Sequence, residues 1–256
     1  MPRALHVFGY CLRLYRRTWK GTFVISVVNP LLFLLGVGVG IGHLVSHGHP
    51  ATLGGVSYTD FFAPGLLAAS AMQTAFVEAG GRVTVSASPS GAYRTATTTP
   101  LDPEDILLGH MLFVAFRVLT STAAFIAVME LFGTISGWWV VAVWPAAVLS
   151  GLAFAVPLAA WTVTLRTYPQ VNSFFRFLFM PMYMFSGTFF ALGELPHFVR
   201  LLVSVLPLTQ AVELCRGLSL GHPSAGGVAA HGSYLALLLL GGALVARVTY
   251  RRRLHA

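Results

Sequence analysis

The stretch AYRTATTTPLDPEDILLGHMLFVAFRVLTSTAAFIAVMELF, Ala92 to Phe132, sets a polar corner directly against an apolar run of membrane length. From Ile106 to Phe132 the only charged residues are Arg117 and, near the far end, Glu130, and a run of that length is what an α-helix needs to cross a bilayer. Ahead of it, in Thr99-Pro100-Leu101-Asp102-Pro103-Glu104-Asp105, two prolines restrict the backbone and three acids stand where the apolar helix begins. That end of a helix favours negative charge. Residues 92–105 therefore read as an ordered corner on one membrane face, and what it touches there is the central functional question.

The composition of the whole chain agrees with a lipid environment. Of 256 residues, 56% are hydrophobic and 9% charged, with a mean hydropathy of +0.75, whereas soluble domains carry roughly 25% charged residues. The fold class expected is an all-α membrane protein. A net charge of +8 raises the question of nucleic acid, but the basic residues stand at the ends of apolar runs and form no continuous stripe. Nucleic acid is therefore not an expected partner.

Working outward, residues 22–45, 58–80, 106–132, 138–165, 172–192 and 227–248 predict six spans in a single transmembrane domain, 1–256. Residues 1–20 mix Arg3, Arg13, Arg16, Arg17 and Lys20 with Leu5, Val7, Tyr15 and Trp19 and predict an amphipathic helix lying in the interface. The first span carries Asn29-Pro30, which predicts a kink, and Gly36, Gly38, Gly40 and Gly42, which predict close helix contact. His43, His47 and His49 follow without a Cys or an acid and read as a solvated loop ahead of a metal site. Asp60 and Glu78 are expected near the two ends of the second span. Arg117, in mid-span, costs roughly 3 kcal/mol to insert, so it faces protein or a wet cavity, either pairing within the helices or serving a substrate path. Residues 194–221 hold an apolar run too short to span, broken by Pro196 and Pro207, and predict short re-entrant helices.

Charge sets the orientation. With both ends in the cytoplasm, Arg3, Arg13, Arg16, Arg17, Lys20, Arg82, Arg94, Arg166, Arg247, Arg251, Arg252 and Arg253 fall inside, against Arg200 and Arg216 outside. The 92–105 corner is then cytoplasmic, and Cys11 and Cys215 lie on opposite faces, too far apart to bridge.

Catalytic chemistry is not legible in the chain. Lys20 is the only lysine and lacks the glycines of a phosphate loop, so a Walker A motif is absent. Metalloprotease, nucleophile-elbow and Cys/His metal signatures are absent as well. The acids at Asp102, Glu104 and Asp105 suit helix capping better than a metal-assisted diphosphate site. An ATP-independent secondary transporter would need a coupling-ion site and internal repeats, and a membrane-embedded lipid-modifying enzyme a convergent cluster near one face; these remain the alternative classes.

Four motifs in order resemble the membrane subunit of ABC-2 type exporters, in particular the nodulation-protein-J-like branch. They are Phe62-Ala63-Pro64-Gly65-Leu66 with Ala71-Met72-Gln73-Thr74-Ala75, and Thr99-Pro100-Leu101 with Pro103, Asp105-Ile106 and Gly109-His110. Phe185-Ser186-Gly187-Thr188-Phe189-Phe190 with Leu195-Pro196, and Leu206-Pro207-Leu208-Thr209 with Ala211-Val212 and Arg216, complete the set. The resemblance implies a non-catalytic permease of the bacterial inner membrane that pairs with a second copy or paralogue. It implies export of an amphiphilic or lipid-linked molecule (drug, lipo-oligosaccharide, glycan or lipid). ATP and Mg would be bound by a separate ATP-binding cassette subunit and no cofactor by this chain. Thr99, Pro100, Leu101, Asp102, Pro103, Glu104 and Asp105 are then the candidate coupling residues. Arg117, Pro64, Gly65, Met72, Gln73, Ser186, Gly187 and Thr188 are candidates for the substrate path or its packing.

Overall fold

The computed structural model describes residues 2–36, 56–135, 138–165, 167–221 and 223–254, and every element among them is helical. The long elements are α1 (Pro2–Phe33), α2 (Tyr58–Phe76), α5 (Pro103–Leu131), α6 (Trp139–Thr162) and α11 (Ala225–Leu254). Shorter helices lie between them: α3 (Arg82–Ser86), α4 (Ala92–Thr97), α7 (Tyr168–Phe174), α8 (Met180–Phe185), α9 (His197–Ser204) and α10 (Pro207–Ser219). The core is the seam where α2, α5, α6, α10 and α11 pack, rich in alanine along α2 and α6. Small side chains let the helix backbones approach where no water drives them together.

Among the described residues three helices, α5, α6 and α11, are long and apolar enough to cross a membrane. The pair α9 and α10 would make a fourth if counted as one span, but it bends by 87° where Pro207 opens α10, the short broken geometry expected of residues 194–221. The second and fifth expected spans each contain a π-turn. α2 passes at Val77–Gly81 into a π-turn and then into α3; α7 and α8 are joined by another π-turn, Phe175–Phe179, and the helical path ends at Phe185. Ser186, Gly187 and Thr188, expected inside the fifth span, therefore stand in the non-helical segment after it, with Gly187 at φ +81. Outward-facing Leu237, Leu240, Leu244 and Val248 on α11 and Leu108, Leu112 and Leu119 on α5 remain exposed, a surface suited to lipid.

The first element differs from expectation. A separate interfacial helix ending at Lys20 is replaced by one continuous helix, α1, running through Gly21 to Phe33. Its buried residues Ala4, Val7 and Cys11 recur at intervals of three and four, a narrow apolar stripe suited to a neighbouring helix. That neighbour is α5. Gly109 makes the approach possible, since a Cβ there would collide with the Ala4 carbonyl oxygen and lie 2.5 Å from Val7 Cβ. The remainder of the first span, with Gly38, Gly40, Gly42, His43, His47 and His49, lies outside the described residues, as does Arg166. Cys11 and Cys215 are both buried and free.

The chain direction puts the starts of α1 and α5 and the end of α11 together at one end of the bundle. Arg3 lies 3.9 Å from Asp102, and Arg247 and Arg251 reach Glu104 at 3.2 and 2.9 Å. Trp139, against Gly221, marks the opposite end.

Candidate functional site

Three constellations stand out, and the first is built on the π-turn Val77–Gly81. A π-turn widens the helix and leaves carbonyls without their usual partners, an arrangement concentrated at functional positions. Here side chains from three helices take them. His110 Nε2 donates to the Glu78 carbonyl at 3.1 Å, Thr162 Oγ1 to Ala79 at 2.7 Å and Thr84 Oγ1 to Gly80 at 3.0 Å. The turn also swings the Glu78 side chain inward, where only 2% of it is exposed. Its carboxylate receives Arg117 Nε at 3.1 Å and lies 2.9 Å from Arg82 Nε. Arg117, 4% exposed at its side chain, also donates to the Tyr15 hydroxyl at 2.9 Å and lies 4.6 Å over that ring. Two guanidiniums therefore share one carboxylate, and Arg82, 31% exposed, is the member that still meets the outside.

The second constellation is the Arg216 joint at the far end. Proline at the first turn of α10 and the apolar run after it bring this arginine inward, 9% exposed at its side chain. Its Nε donates to the Phe61 carbonyl at 3.2 Å, Nη2 to the Gly187 carbonyl at 2.6 Å and Nη1 to Glu213 at 2.9 Å, while the guanidinium lies 3.8 Å over the Phe61 ring. A fork of fixed donors is what three separate acceptors require. Gly187 turns the chain in the left-handed region so that its carbonyl points at the arginine. Gly65 lets the loop settle on α2, since a Cβ there would lie 3.1 Å from Thr188 Cα and 3.4 Å from Arg216 Nη2. Ser186 and Thr188 hydroxyls bond each other at 2.9 Å, and the Tyr58 hydroxyl donates to the Phe189 carbonyl at 3.1 Å.

The third is the 92–105 corner. α4 and the turn after it lead to Asp102, the N-cap of α5 in extended backbone, with Pro103 first in the helix and Asp105 accepting from the Asp102 N–H at 3.4 Å. Tyr93 anchors α4 by packing on His110 and Tyr250, both at 6.0 Å between rings; burial, and the Tyr250 phenol beside it, push its own phenol well above the ordinary value. Between the corner, α1 and the π-turn opens a groove of about 850 Å³.

Residues 5–220 match the ABC-2 type transporter family. The chain belongs to that family. It is 31% identical over 224 residues to nodulation protein J of Sinorhizobium fredii, covering 86% of this chain and 83% of that protein. It is 30% identical over 213 residues to nodulation protein J of Rhizobium leguminosarum bv. trifolii, 80% of this chain and 78% of the relative. Against nodulation protein J of R. leguminosarum bv. viciae the figure is 28% over 254 residues, 95% and 94% of the two chains. This ABC-2 protein is thus a multi-pass membrane component of an ABC transporter.

The motif residues of this ABC-2 chain do not form one site. Gly65, Gly187 and Thr188 meet around Arg216, and Ser186 joins them through Thr188; Pro64 is buried in the same turn of α2. Met72 is buried in the core, and Gln73 beside it is exposed. Arg117 belongs to the π-turn cluster, paired between helices. Thr99, Pro100 and Asp102 are exposed, Leu101, Glu104 and Asp105 half-buried, and Pro103 buried. Sequence reading missed the inward turn of Glu78, which it set at an interface, and the part played by Tyr15 and Arg82. The available signal was Glu78 and Arg82 four residues apart beside a mid-span Arg117, three ionisable groups that a membrane interior tolerates only together.

Proposed function

We propose that this chain is the permease subunit of an ABC exporter. It carries an amphiphilic or lipid-linked substrate (a drug, lipo-oligosaccharide, glycan or lipid) outward across the bacterial inner membrane. The chain binds no cofactor; a separate ATP-binding cassette subunit binds ATP and Mg and supplies the energy. Six spans with both termini in the cytoplasm and a second permease copy or paralogue complete the arrangement. Residues 99–105 receive the motion of the cassette.

One observation carries the coupling role. The acids of the corner pair across helices at the surface, Asp102 toward Arg3 of α1 and, more closely, Glu104 to Arg247 and Arg251 of α11. A push on the corner therefore bears on α5, on α11 through Glu104 and on α1 through its close packing at Gly109, which suits a rigid-body shift between two states. The acids act as the joint that spreads the push, and the exposed Thr99 and Pro100 offer the contact surface.

The test is the triple substitution Asp102→Asn, Glu104→Gln, Asp105→Asn in proteoliposomes containing the cassette subunit. ATP hydrolysis continues and substrate export falls by at least about tenfold. Unchanged export in a correctly inserted triple variant would refute the coupling role. Export by the purified permease without ATP would refute the exporter class.

A further inference from the structure

We propose that the groove between α1, the π-turn and α4 is a binding site for one anionic phospholipid of the surrounding bilayer, with its phosphate at Arg82 and an acyl chain along α1. This lipid is a resident one and not the exported cargo, so the proposal goes beyond the exporter reading.

Glu78, Arg82 and Arg117 sum to one excess positive charge in a site where Glu78 and Arg117 are 2% and 4% exposed. The sealed pair Glu78–Arg117 is neutral by itself, so the excess charge sits at Arg82, which is 31% exposed and open to an external anion. Glu78 and Arg117 are sealed, so a counter-charge reaches the cluster only through Arg82, which lines the groove. Among the described residues the groove wall contains no carboxylate, and His110 on that wall has its Nε2 engaged by the Glu78 carbonyl. Arg82 thus lines the groove with only a share of one carboxylate, Glu78, which Arg117 also holds, and the groove wall adds no second anion.

Shape and surroundings select the kind of anion. A volume of about 850 Å³ falls within the range of ligand sites, roughly 300–1,000 Å³, and far exceeds what a small inorganic ion fills. Away from Arg82 the wall mixes hydroxyl-bearing residues such as Tyr10, Thr18 and Thr95 with an apolar part, Val7 and Leu14 on α1 and Val77 and Val85 opposite. Leu14, Val77 and Val85 are about half exposed, so this apolar wall continues to the outer surface. Exposed Arg13, Arg16, Arg17 and Lys20 stand on the same α1, a basic helix of the kind that concentrates anionic lipid at a membrane surface. An anion-seeking Arg82, an apolar strip and a basic helix alongside together describe a site for an anionic phospholipid.

The measurement is native mass spectrometry of the purified chain exchanged with phosphatidylglycerol or with phosphatidylcholine of the same acyl chains, and separately with inorganic phosphate. The wild type retains one phosphatidylglycerol at least about tenfold better than phosphatidylcholine. In Arg82→Gln the Glu78–Arg117 pair stays neutral, so the chain folds and the headgroup preference disappears. Ser86→Trp fills the groove from its wall and lowers retention of both lipids, with thermal unfolding of each variant reporting that the fold persists. Equal retention of the two lipids by the wild type, or a preference that survives in Arg82→Gln, overturns the proposal. Competition by inorganic phosphate as strong as that by phosphatidylglycerol also overturns it, since the site would then read the phosphate alone. ATP-driven export measured on the same preparation is a separate readout: intact export with no lipid selectivity refutes this site and leaves the permease role standing.

Discussion

The Glu78–Arg117 pair permits a quantitative test by double-mutant cycle, using Glu78→Gln, Arg117→Met and the two combined. Glu78 and Arg117 meet at 3.1 Å with side chains 2% and 4% exposed. In Glu78→Gln, Arg117 keeps its charge, the Tyr15 hydroxyl and ring and at most a neutral amide oxygen in place of the carboxylate, so it loses its counter-charge. In Arg117→Met, Glu78 keeps Arg82 at 2.9 Å and loses its sealed partner. Removing one member of a buried pair costs about 3–5 kcal/mol. The Glu78→Gln loss belongs at the upper end because two cations are then left facing each other. Replacing both members removes charge and counter-charge together and is far less damaging, so the double variant is expected to be more stable than Glu78→Gln alone. The exposed pair Arg3–Asp102, 58% and 72% exposed at 3.9 Å, supplies the contrast: solvent screening leaves it worth about 0–1 kcal/mol. For a chain of this size a loss of 3–5 kcal/mol lowers the midpoint by about 6–20 °C, measurable by thermal unfolding in a mild detergent. Single-variant losses within about 1 kcal/mol, or losses that simply add in the double variant, would show that the two charges are not coupled and would refute the reading of the π-turn.

Two further predictions concern the Arg216 joint. Arg216→Lys keeps the charge but not the fork, so the Phe61 and Gly187 carbonyls and Glu213 are no longer all satisfied; a loss of about 2–3 kcal/mol is expected in the same unfolding assay, and wild-type stability would remove the joint from the account. Gly65→Val places a Cβ 3.1 Å from Thr188 Cα with two methyl groups beyond it. Overpacking of about 1–3 kcal/mol is expected, accompanied by proteolytic sensitivity of the 186–195 segment that the wild type lacks.

Membership of the membrane class, the helical architecture and the capped start of α5 were all legible in the residues. Each depends on local quantities, namely the length of an apolar run, the position of proline and the acids beside it. The interrupted helices were less legible. A π-turn at Val77–Gly81 is decided by what receives its freed carbonyls, and His110 and Thr162 come from helices 32 and 83 residues away in sequence. Likewise nothing in Pro2–Lys20 distinguishes a stripe meant for lipid from one meant for α5 until Gly109 is seen to admit it.

The residues in order were enough to establish an all-helical membrane chain without a phosphate loop, with a proline-bounded acidic corner and motifs of the ABC-2 family. Composition and local order suffice for such statements because hydrophobic length, backbone restriction and helix capping act within a few turns of chain. Which charges meet became visible in the packed helices. Arg117 turned out to be paired with Glu78, Arg216 to hold two distant motifs together, Glu104 to be paired with the C-terminal helix, and Arg82 to share Glu78 while lining a groove. Burial and pairing of an ionisable side chain depend on which helices pack around it, and that is a property of the assembled bundle.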